Sequence, residues 1–392
     1  MEATAGMTTN AQAATAPLIV HVVRQFLPNR GGLEDVVANL ARETVRRGFR
    51  VRVVTLDTLF TARERKLPPR ETIDGIEVIR IPWSGSTRYP IAPQVFRHLG
   101  DADLVHVHAI DFFFDALAIG RILHRKPMVV TTHGGFFHTQ KYAALKKVWF
   151  QTLTRFSAMN YRRVIGCSTS DIAQFSQIAP NTVLIENGVD IGKFADSASR
   201  TPLRRIVTIG RFSVNKRLDH LLDVMQVLTG RDPSWHLDII GSESDLKAGD
   251  LSAEIAARNL GQLVDLHVGV DNATIRPLIS GASLFASASE YEGFGLVALE
   301  AMSAGLYPVL NGNAAYRALA ERQAPVTITD FSDAGKAADA IGAAFDAISA
   351  NPAAMREALI AAARPYSWDH VAGLYIDLYR SLGIPAFRAS EA

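Results

Sequence analysis

The 392-residue chain holds a single cysteine, Cys167. One thiol excludes an internal disulfide framework and any metal centre built from several thiolates. Following the apolar pair Val164 and Ile165, it reads as a buried thiol in a reducing compartment. No apolar run reaches the roughly 18 residues that a membrane span requires, so none is expected. Internal repeats and coiled-coil heptads are missing as well. Asp-x-Asp occurs once, at Asp101 and Asp103. Such a pair can hold a divalent cation, but this one precedes its strand, whereas ligands of parallel sheets bind beyond the strands' carboxyl ends. It reads as structural, and no metal is implied. Residues 1–17 are rich in Ala and Thr, without a cationic start or an apolar centre, and read as a disordered leader instead of a signal peptide.

What is present is ordinary for a soluble protein: 48% hydrophobic and 20% charged residues. The length suggests two domains of about 170 to 200 residues each. The net charge of +2 conceals an asymmetry. Residues 1–185 carry 23 Lys and Arg against 14 Asp and Glu, a net +9; the rest carries 18 against 25, a net −7. The basic half is expected to face something anionic. Within it, residues 138–164 contain Lys141, Lys146, Lys147, Arg155, Arg162 and Arg163 and no acid. Tyr142, Leu145, Trp149, Leu153, Phe156 and Met159 fall there at helical spacing, with Phe150 beside them. Two readings stay open, a core face beneath solvated cations, or a helix lying on anionic lipid. No nucleic-acid recognition motif accompanies the charge, so nucleic acid is not an expected partner.

The chain alternates strands and helices. An apolar strand at 18–23 leads through a polar loop containing Arg24 and Gln25 to Gly31 and Gly32, then to a helix at 33–47 and a strand at 51–56. This is the opening of a nucleotide-binding α/β domain. Strands at 76–81, 104–108, 128–132, 164–168 and 183–185 continue it, giving a first domain over 18–186. A polar connector spans 187–204, a second strand-helix series covers 205–365, and a terminal helix lies within 366–392. His106 and His108 alternate along one strand and are assigned to packing or a helix-facing hydrogen bond. His133 and Asp111 instead stand just past strand ends, where a side chain can meet a ligand.

Two stretches carry the chemistry. Glu290-Tyr-Glu-Gly-Phe-Gly-Leu-Val-Ala-Leu-Glu300 reads as a glycine loop entering a helix that begins near Gly293, with Glu300 about two turns along it. A helix start beside Gly293, Phe294, Gly295 and Leu296 offers free N–H groups and a positive dipole end to a phosphate. Glu292 and Glu300 could then grip hydroxyls on either side. The second stretch is Gly210-Arg211-Phe-Ser-Val-Asn-Lys216, a strand running into a loop with two cations five residues apart. Arg can grip phosphate oxygens bidentately, and Lys adds a point charge.

The Glu-x7-Glu segment with its Gly-Phe-Gly insert and the Gly-Arg-x4-Lys loop resemble the signatures of the retaining glycosyltransferases of family 4. So does Asn187-Gly-Val-Asp190 at the domain junction, although Glu186 stands where the family usually has Pro. The resemblance covers nearly all of the chain after about residue 18. It implies the GT-B architecture, α/β, with two Rossmann-like domains facing across a cleft, the acceptor on the first and the nucleotide sugar on the second. Arg211 and Lys216 then hold the donor diphosphate without a metal or other cofactor. Glu300 lies on the ribose, Glu292 on the transferred sugar, Gly241 and Val270 by the base, and Gly31 and Gly32 opposite the diphosphate. His133 bonds the transferred sugar, and Asp111, Arg24 and Gln25 face the acceptor. Residues 22–26, 31–34 and 109–115 look most like the mannosyltransferases of xanthan- and acetan-type exopolysaccharide assembly. Those use GDP-mannose and a polyprenyl-diphosphate-linked acceptor at the inner membrane, which implies a cytoplasmic protein peripheral to an anionic membrane surface. A UDP-glucose-dependent transferase and a nucleotide-sugar epimerase of the same architecture are the alternatives.

Overall fold

A computed structural model describes residues 16–134, 147–322 and 325–385. Most of the expected leader lies outside these residues, as do Gly135, Lys141, Tyr142, Leu145 and Lys146. The chain divides into two compact units, one ending at Gly188 and resuming at Trp368, the other Val189–Ser367.

The first unit is built on an eight-stranded sheet. Its order is Thr182–Leu184, Arg163–Gly166, Met128–Thr131, Leu104–His108, Leu18–Val22, Arg50–Leu56, Ile76–Ile81, Arg70–Ile73. All neighbours are parallel except the last pair. Leu18–Val22 and Leu104–His108 are buried along their whole length, as central parallel strands must be when both faces are covered. The helix Gly32–Arg46 buries Val36, Val37, Leu40, Ala41 and Thr44, and carries Glu34 and Asp35 in its first turn and Arg46 in its last, in keeping with its dipole. The terminal helix Trp368–Ser381 packs on this helix and belongs to the first unit. Val371, Tyr375 and Tyr379 join Ile19, Leu40 and Leu104 in one apolar cluster, and Arg47 Nη2 bonds Asp369 Oδ1 at 2.7 Å. Arg70–Ile73 turns back through Asp74 and Gly75, both at positive φ (52° and 78°), the conformation that a two-residue hairpin turn demands and that Asp-Gly supplies.

The second unit holds a six-stranded, fully parallel sheet in the order Val264–Val268, His236–Gly241, Arg205–Ile209, Leu284–Ser287, Tyr307–Asn311, Thr327–Thr329. The expected connector needs correction. From Val189 onward its residues are bonded into the second unit and are not a free linker. Val189 N donates to Tyr366 O (2.7 Å), Asp196 N to Ser303 O (3.0 Å) and Ala198 N to Ala304 O (2.8 Å), and Phe194 is buried. Arg356, itself buried, locks the segment by donating to Asp196 Oδ1 (2.7 Å) and to Ala198 O (2.8 Å). A polar, proline-flanked stretch looks like a linker because these partners lie over 100 residues away in sequence.

Arg356→Ala should therefore lower stability by about 2 kcal/mol, because it strands the carbonyls and the carboxylate that the guanidinium satisfies. Urea unfolding with an unchanged m-value checks this, and a midpoint shift no larger than that of an exposed control such as Arg364→Ala would contradict it.

Candidate active site

In the second unit, the strands deliver both motif loops to one edge. Gly210 follows Arg205–Ile209, and Gly241 ends the next strand. A Cβ on Gly241 would lie 1.7 Å from Gly210 O and 2.8 Å from the Phe212 ring, so this glycine is required by backbone approach within the unit. Gly269 N extends the register by donating to Gly241 O at 2.7 Å, and half-buried Val270 follows it. Beyond Gly210, a 3₁₀ turn at Val214–Lys216 presents Lys216.

Asn215 clamps this turn to the glutamate loop. Its side chain donates to Tyr291 O (2.8 Å) and accepts from Tyr291 N (3.1 Å), while its own carbonyl accepts from Glu290 N (3.0 Å). Arg217, in the left-handed region at φ 47°, adds an ion pair to Glu290 and a second to Asp219. The two signatures, about 80 residues apart, thus form one rigid corner. Lys216 Nζ bonds Glu292 Oε1 at 2.6 Å. The Tyr316 hydroxyl lies 3.0 Å from Ser287 Oγ and 3.3 Å from Glu292 Oε1. Arg211 is exposed and has no hydrogen bond or ion pair among the described residues. With Glu292 matched to Lys216, the Arg211 charge is left over, on the wall of a crevice shared with Gly210, Phe212, Lys216, Ser287 and Ser289.

The expected helix start needs correction. The helix is Leu296–Ala304, not one starting near Gly293, because Gly295 sits at φ 77° and ends the loop. Glu300 is therefore four residues in, about 6 Å along and little more than one turn. Gly295 cannot be replaced cheaply: besides its φ, a Cβ would meet the Tyr316 ring at 3.0 Å. Around Gly293 there is open space, and Phe294 lies edge-on to Tyr366. Glu300 is largely buried and covered by Lys193 Nζ at 3.3 Å. Burial pushes its carboxyl above the usual range, and Lys193 opposes that shift.

In the first unit, the strand ends bring Arg24, Gln25, Asp111 and His133 to the carboxyl edge of one sheet. Gln25 is committed internally: its amide donates to Arg24 O (2.9 Å) and Thr58 O (3.0 Å) and accepts from Phe60 N (2.9 Å). It anchors the hairpin of Thr58–Leu59 and Ala62–Lys66, leaving half-buried Arg24 as the available side chain of the pair. That hairpin and Trp83 border an open cavity of about 280 Å³, lined also by Asp57, Arg63 and Lys66, which the sequence did not single out. Gly31 is extended at φ −174°, a conformation open to any residue, and immediately precedes the helix that starts at Gly32.

Asp111 caps the helix Phe112–Ile119, its Oδ1 accepting from Phe113 N at 2.9 Å, while Oδ2 is buried without a partner among the described residues. Burial pushes its pKa up to about 7, against the pull of Arg24 and of the helix N–H groups. His133 sits at φ 56°, its Nε2 2.9 Å from His108 Nδ1 and its Nδ1 3.9 Å from Cys167 Sγ. Burial depresses it to about 3, so it is neutral at ordinary pH. The assignment of both strand histidines to packing or a helix-facing hydrogen bond is corrected for His108, which is bonded to His133. His106 does make the helix-facing bond, its Nδ1 lying 2.7 Å from Tyr379 OH. Cys167 is buried, and its thiol is pushed up to about 12. Asp101 accepts the fork of Arg52 at 2.6 and 2.9 Å, and Asp103 accepts from Leu18 N at 2.7 Å, so both are spent on the opposite edge.

The helical stretch over 147–158 holds the described part of the aromatic stripe. Its buried face is Phe150, Thr154, Ser157 and Ala158, whereas Trp149, Phe156 and Met159 are 45, 57 and 68% exposed. Small residues face inward because Ser157 reaches Asp115 Oδ1 at 2.7 Å and the helix lies close to Phe112–Ile119. Ile119, Ile122 and Leu123 are exposed as well.

A sequence model of Glycosyltransferase Family 4 matches residues 30–193, and one of Glycosyl transferases group 1 matches residues 192–365. The chain is 44% identical over 378 residues to a GDP-mannose:cellobiosyl-diphosphopolyprenol alpha-mannosyltransferase of Xanthomonas campestris, covering 95% of this chain and 99% of the relative. It is 42% identical to the protein of the same description from Komagataeibacter xylinus, covering 93% of each. Among solved structures, a sucrose-phosphate synthase from Thermosynechococcus elongatus superposes with a TM-score of 0.65 at 19% identity, over 94% of this chain and 99% of that one. Anabaena HepE, solved with UDP and glucose, superposes with a TM-score of 0.66 at 18% identity, over 93% and 100%. These likenesses show the fold, two Rossmann-like α/β domains of the GT-B class.

The Asp111 carboxyl generates a pH prediction. Its folded pKa of about 7 exceeds the roughly 3.9 of an unfolded aspartate, so the unfolded chain releases a proton that the folded chain keeps. Stability is then lost as pH rises from about 4 to about 7. Asp111→Asn keeps the helix cap and removes that loss, so its stability relative to the parent should increase steadily across this window. Parallel stability curves from urea unfolding would refute the assignment.

Proposed function

The chain belongs to glycosyltransferase family 4, and we propose that it moves mannose, with retention of configuration, from GDP-mannose to an oligosaccharide carried on a polyprenyl diphosphate. The observation that carries this reading is 42 to 44% identity, over more than nine-tenths of the chain, to relatives described by that one activity. The second unit supports it with the paired Lys216 and Glu292, the unpaired Arg211 and the N-terminus of Leu296–Ala304 on one edge.

In this reading Arg211 and Lys216 take the donor diphosphate, and Lys216 exchanges Glu292 for phosphate oxygens. That exchange releases the Glu292 carboxylate to a hydroxyl of the transferred sugar, with the Tyr316 hydroxyl holding its orientation. Glu300 serves the ribose once Lys193 swings aside, and Gly241 and Val270 border the base. The bond from the sugar's anomeric carbon to the diphosphate breaks as its bond to the acceptor oxygen forms on the same face. The acceptor's proton goes to the departing phosphate oxygen. The two cations stabilise the charge that develops on the leaving group, so no metal is needed. Arg24 and the cavity beside Trp83 offer cations, a carboxylate and an aromatic ring to the acceptor's sugars and diphosphate.

Mannose transfer from radiolabelled GDP-mannose to a cellobiosyl-diphosphate lipid should persist in EDTA. Lys216→Ala should lower kcat by roughly a hundredfold, about 3 kcal/mol of transition-state binding. An activity abolished by EDTA and restored by Mg²⁺ would overturn the metal-independent mechanism. Transfer only from UDP-glucose, or turnover of a nucleotide sugar without acceptor, would overturn the donor and reaction assignments.

The same reading places the protein in the cytoplasm, on the inner face of the cell membrane. No helix among the described residues is long and apolar enough to cross a membrane. Trp149, Phe156 and Met159 instead face solvent beside Lys147 and Arg155. Each cation near an anionic surface contributes about 1 kcal/mol, and exposed aromatic side chains suit the headgroup layer. The protein should co-sediment with phosphatidylglycerol-containing liposomes at low salt and release at high salt. Lys147→Glu with Arg155→Glu should abolish binding, and equal binding by this variant would exclude the surface.

A further inference from the structure

We propose that His21 and His108 are positioning residues that fix the proton of His133 on Nδ1, so that His133 meets its ligand as a neutral hydrogen-bond donor. The placement is a consequence of parallel register. Leu18–Val22, Leu104–His108 and Met128–Thr131 are adjacent strands, with His21 beside His106 and Thr131 beside His108. His133 follows the third strand. The three rings form one chain: His21 Nδ1 lies 2.9 Å from His108 Nε2, and His108 Nδ1 lies 2.9 Å from His133 Nε2. His106 stacks on His108 at 4.1 Å and is held by Tyr379 OH and Thr131 Oγ1, each at 2.7 Å. It braces the chain without joining it.

The nitrogens of His21, His106 and His108 approach closely enough to suggest a metal centre. Five of the six are already bonded to protein groups, however, and only His21 Nε2 has no partner. Among the described residues no hydrogen bond joins a carboxylate to any ring of the chain, and burial holds all three well below the ordinary imidazole range. Each ring is therefore neutral, with one donor nitrogen and one acceptor.

That constraint propagates. Each N···N contact contains one proton, so choosing the donor in one bond chooses it in the next, and the chain has only two polarities. In one, the proton on His21 lies on Nε2, a buried N–H with nothing to accept it. In the other, His21 Nε2 is a bare lone pair. Orphaned buried N–H groups are the rarer and costlier defect, so the second polarity prevails. It places N–H on Nδ1 of all three rings. His21 donates to His108, His108 donates to His133, and His133 points its own N–H at Cys167 Sγ. That last contact is the weakest, a sulfur acceptor at 3.9 Å, and an oxygen can displace it. The ligand atom facing His133 is accordingly an acceptor oxygen, a hydroxyl or a phosphate. The inference rests on the place of His133 at the sheet edge and not on the identity of donor or acceptor.

Nitrogen-15 NMR of the full chain with labelled histidine, assigned by single variants, tests this without substrate and so independently of the proposed reaction. The expected pattern is protonated Nδ1 and bare Nε2 at His133, unchanged between about pH 5.5 and 8. A proton on Nε2 of His133, or an imidazolium in that range, overturns the proposal. His21→Asn supplies an amide donor to His108 and should preserve the pattern. His21→Phe removes the donor and should leave His133 in mixed tautomers, with kcat reduced roughly tenfold, the effect of one lost oriented hydrogen bond, and with donor KM nearly unchanged. A folded His21→Phe protein with the parental tautomer and parental kcat overturns it equally. Thermal unfolding of both variants identifies any that fail to fold, and the parental spectrum alone then decides.

Discussion

Parallel strand pairing is the constraint on which the rest of this molecule depends. Strands that all run one way release their following residues at one edge of the sheet, so side chains far apart in sequence meet without any long-range recognition between them. In the first unit that edge collects Arg24, Asp111 and His133, and in the second it collects Arg211, Lys216 and Glu292. The opposite edge receives what the sheet itself needs: Asp101 and Asp103 are consumed there by Arg52 and by the backbone of Leu18. The same carboxylate pair at the other edge would have read as a cation site.

Charge is managed differently at the two edges. The second unit pairs Lys216 with Glu292 and leaves Arg211 unmatched among the described residues, so the corner holds its shape and keeps a surplus of positive charge. Asn215, Arg217 and Tyr316 fix the geometry through neutral or internally matched contacts and leave that surplus untouched. In the first unit, burial works against charge: His21, His108 and His133 are neutral, and the Asp111 carboxyl is raised far above an ordinary aspartate. One edge is electrostatic and the other is organised by hydrogen-bond direction. That division suits the proposed transfer, in which a diphosphate departs from one ligand while a hydroxyl is presented by another.

The sequence by itself determined the alternation of strands and helices, the strand ends that carry His133 and Asp111, and the two signatures at Arg211 to Lys216 and Glu292 to Glu300. These are short-range patterns, set by apolar runs, by glycine and by charge spacing. Only the tertiary structure decided the remainder. Gly295, at positive φ above the Tyr316 ring, delays the helix start to Leu296 and shortens the reach to Glu300. Polar residues from Val189 onward become part of the second unit because Arg356 and the carbonyls of Ser303 and Ala304 come to meet them. Trp149, Phe156 and Met159 face outward because Ser157 and Ala158 are small enough to let two helices close. His108 joins His133 instead of merely packing because strand register sets two rings 2.9 Å apart. In each case the deciding partner lies tens to more than a hundred residues away, and residue type alone does not reveal which groups folding will bring into contact.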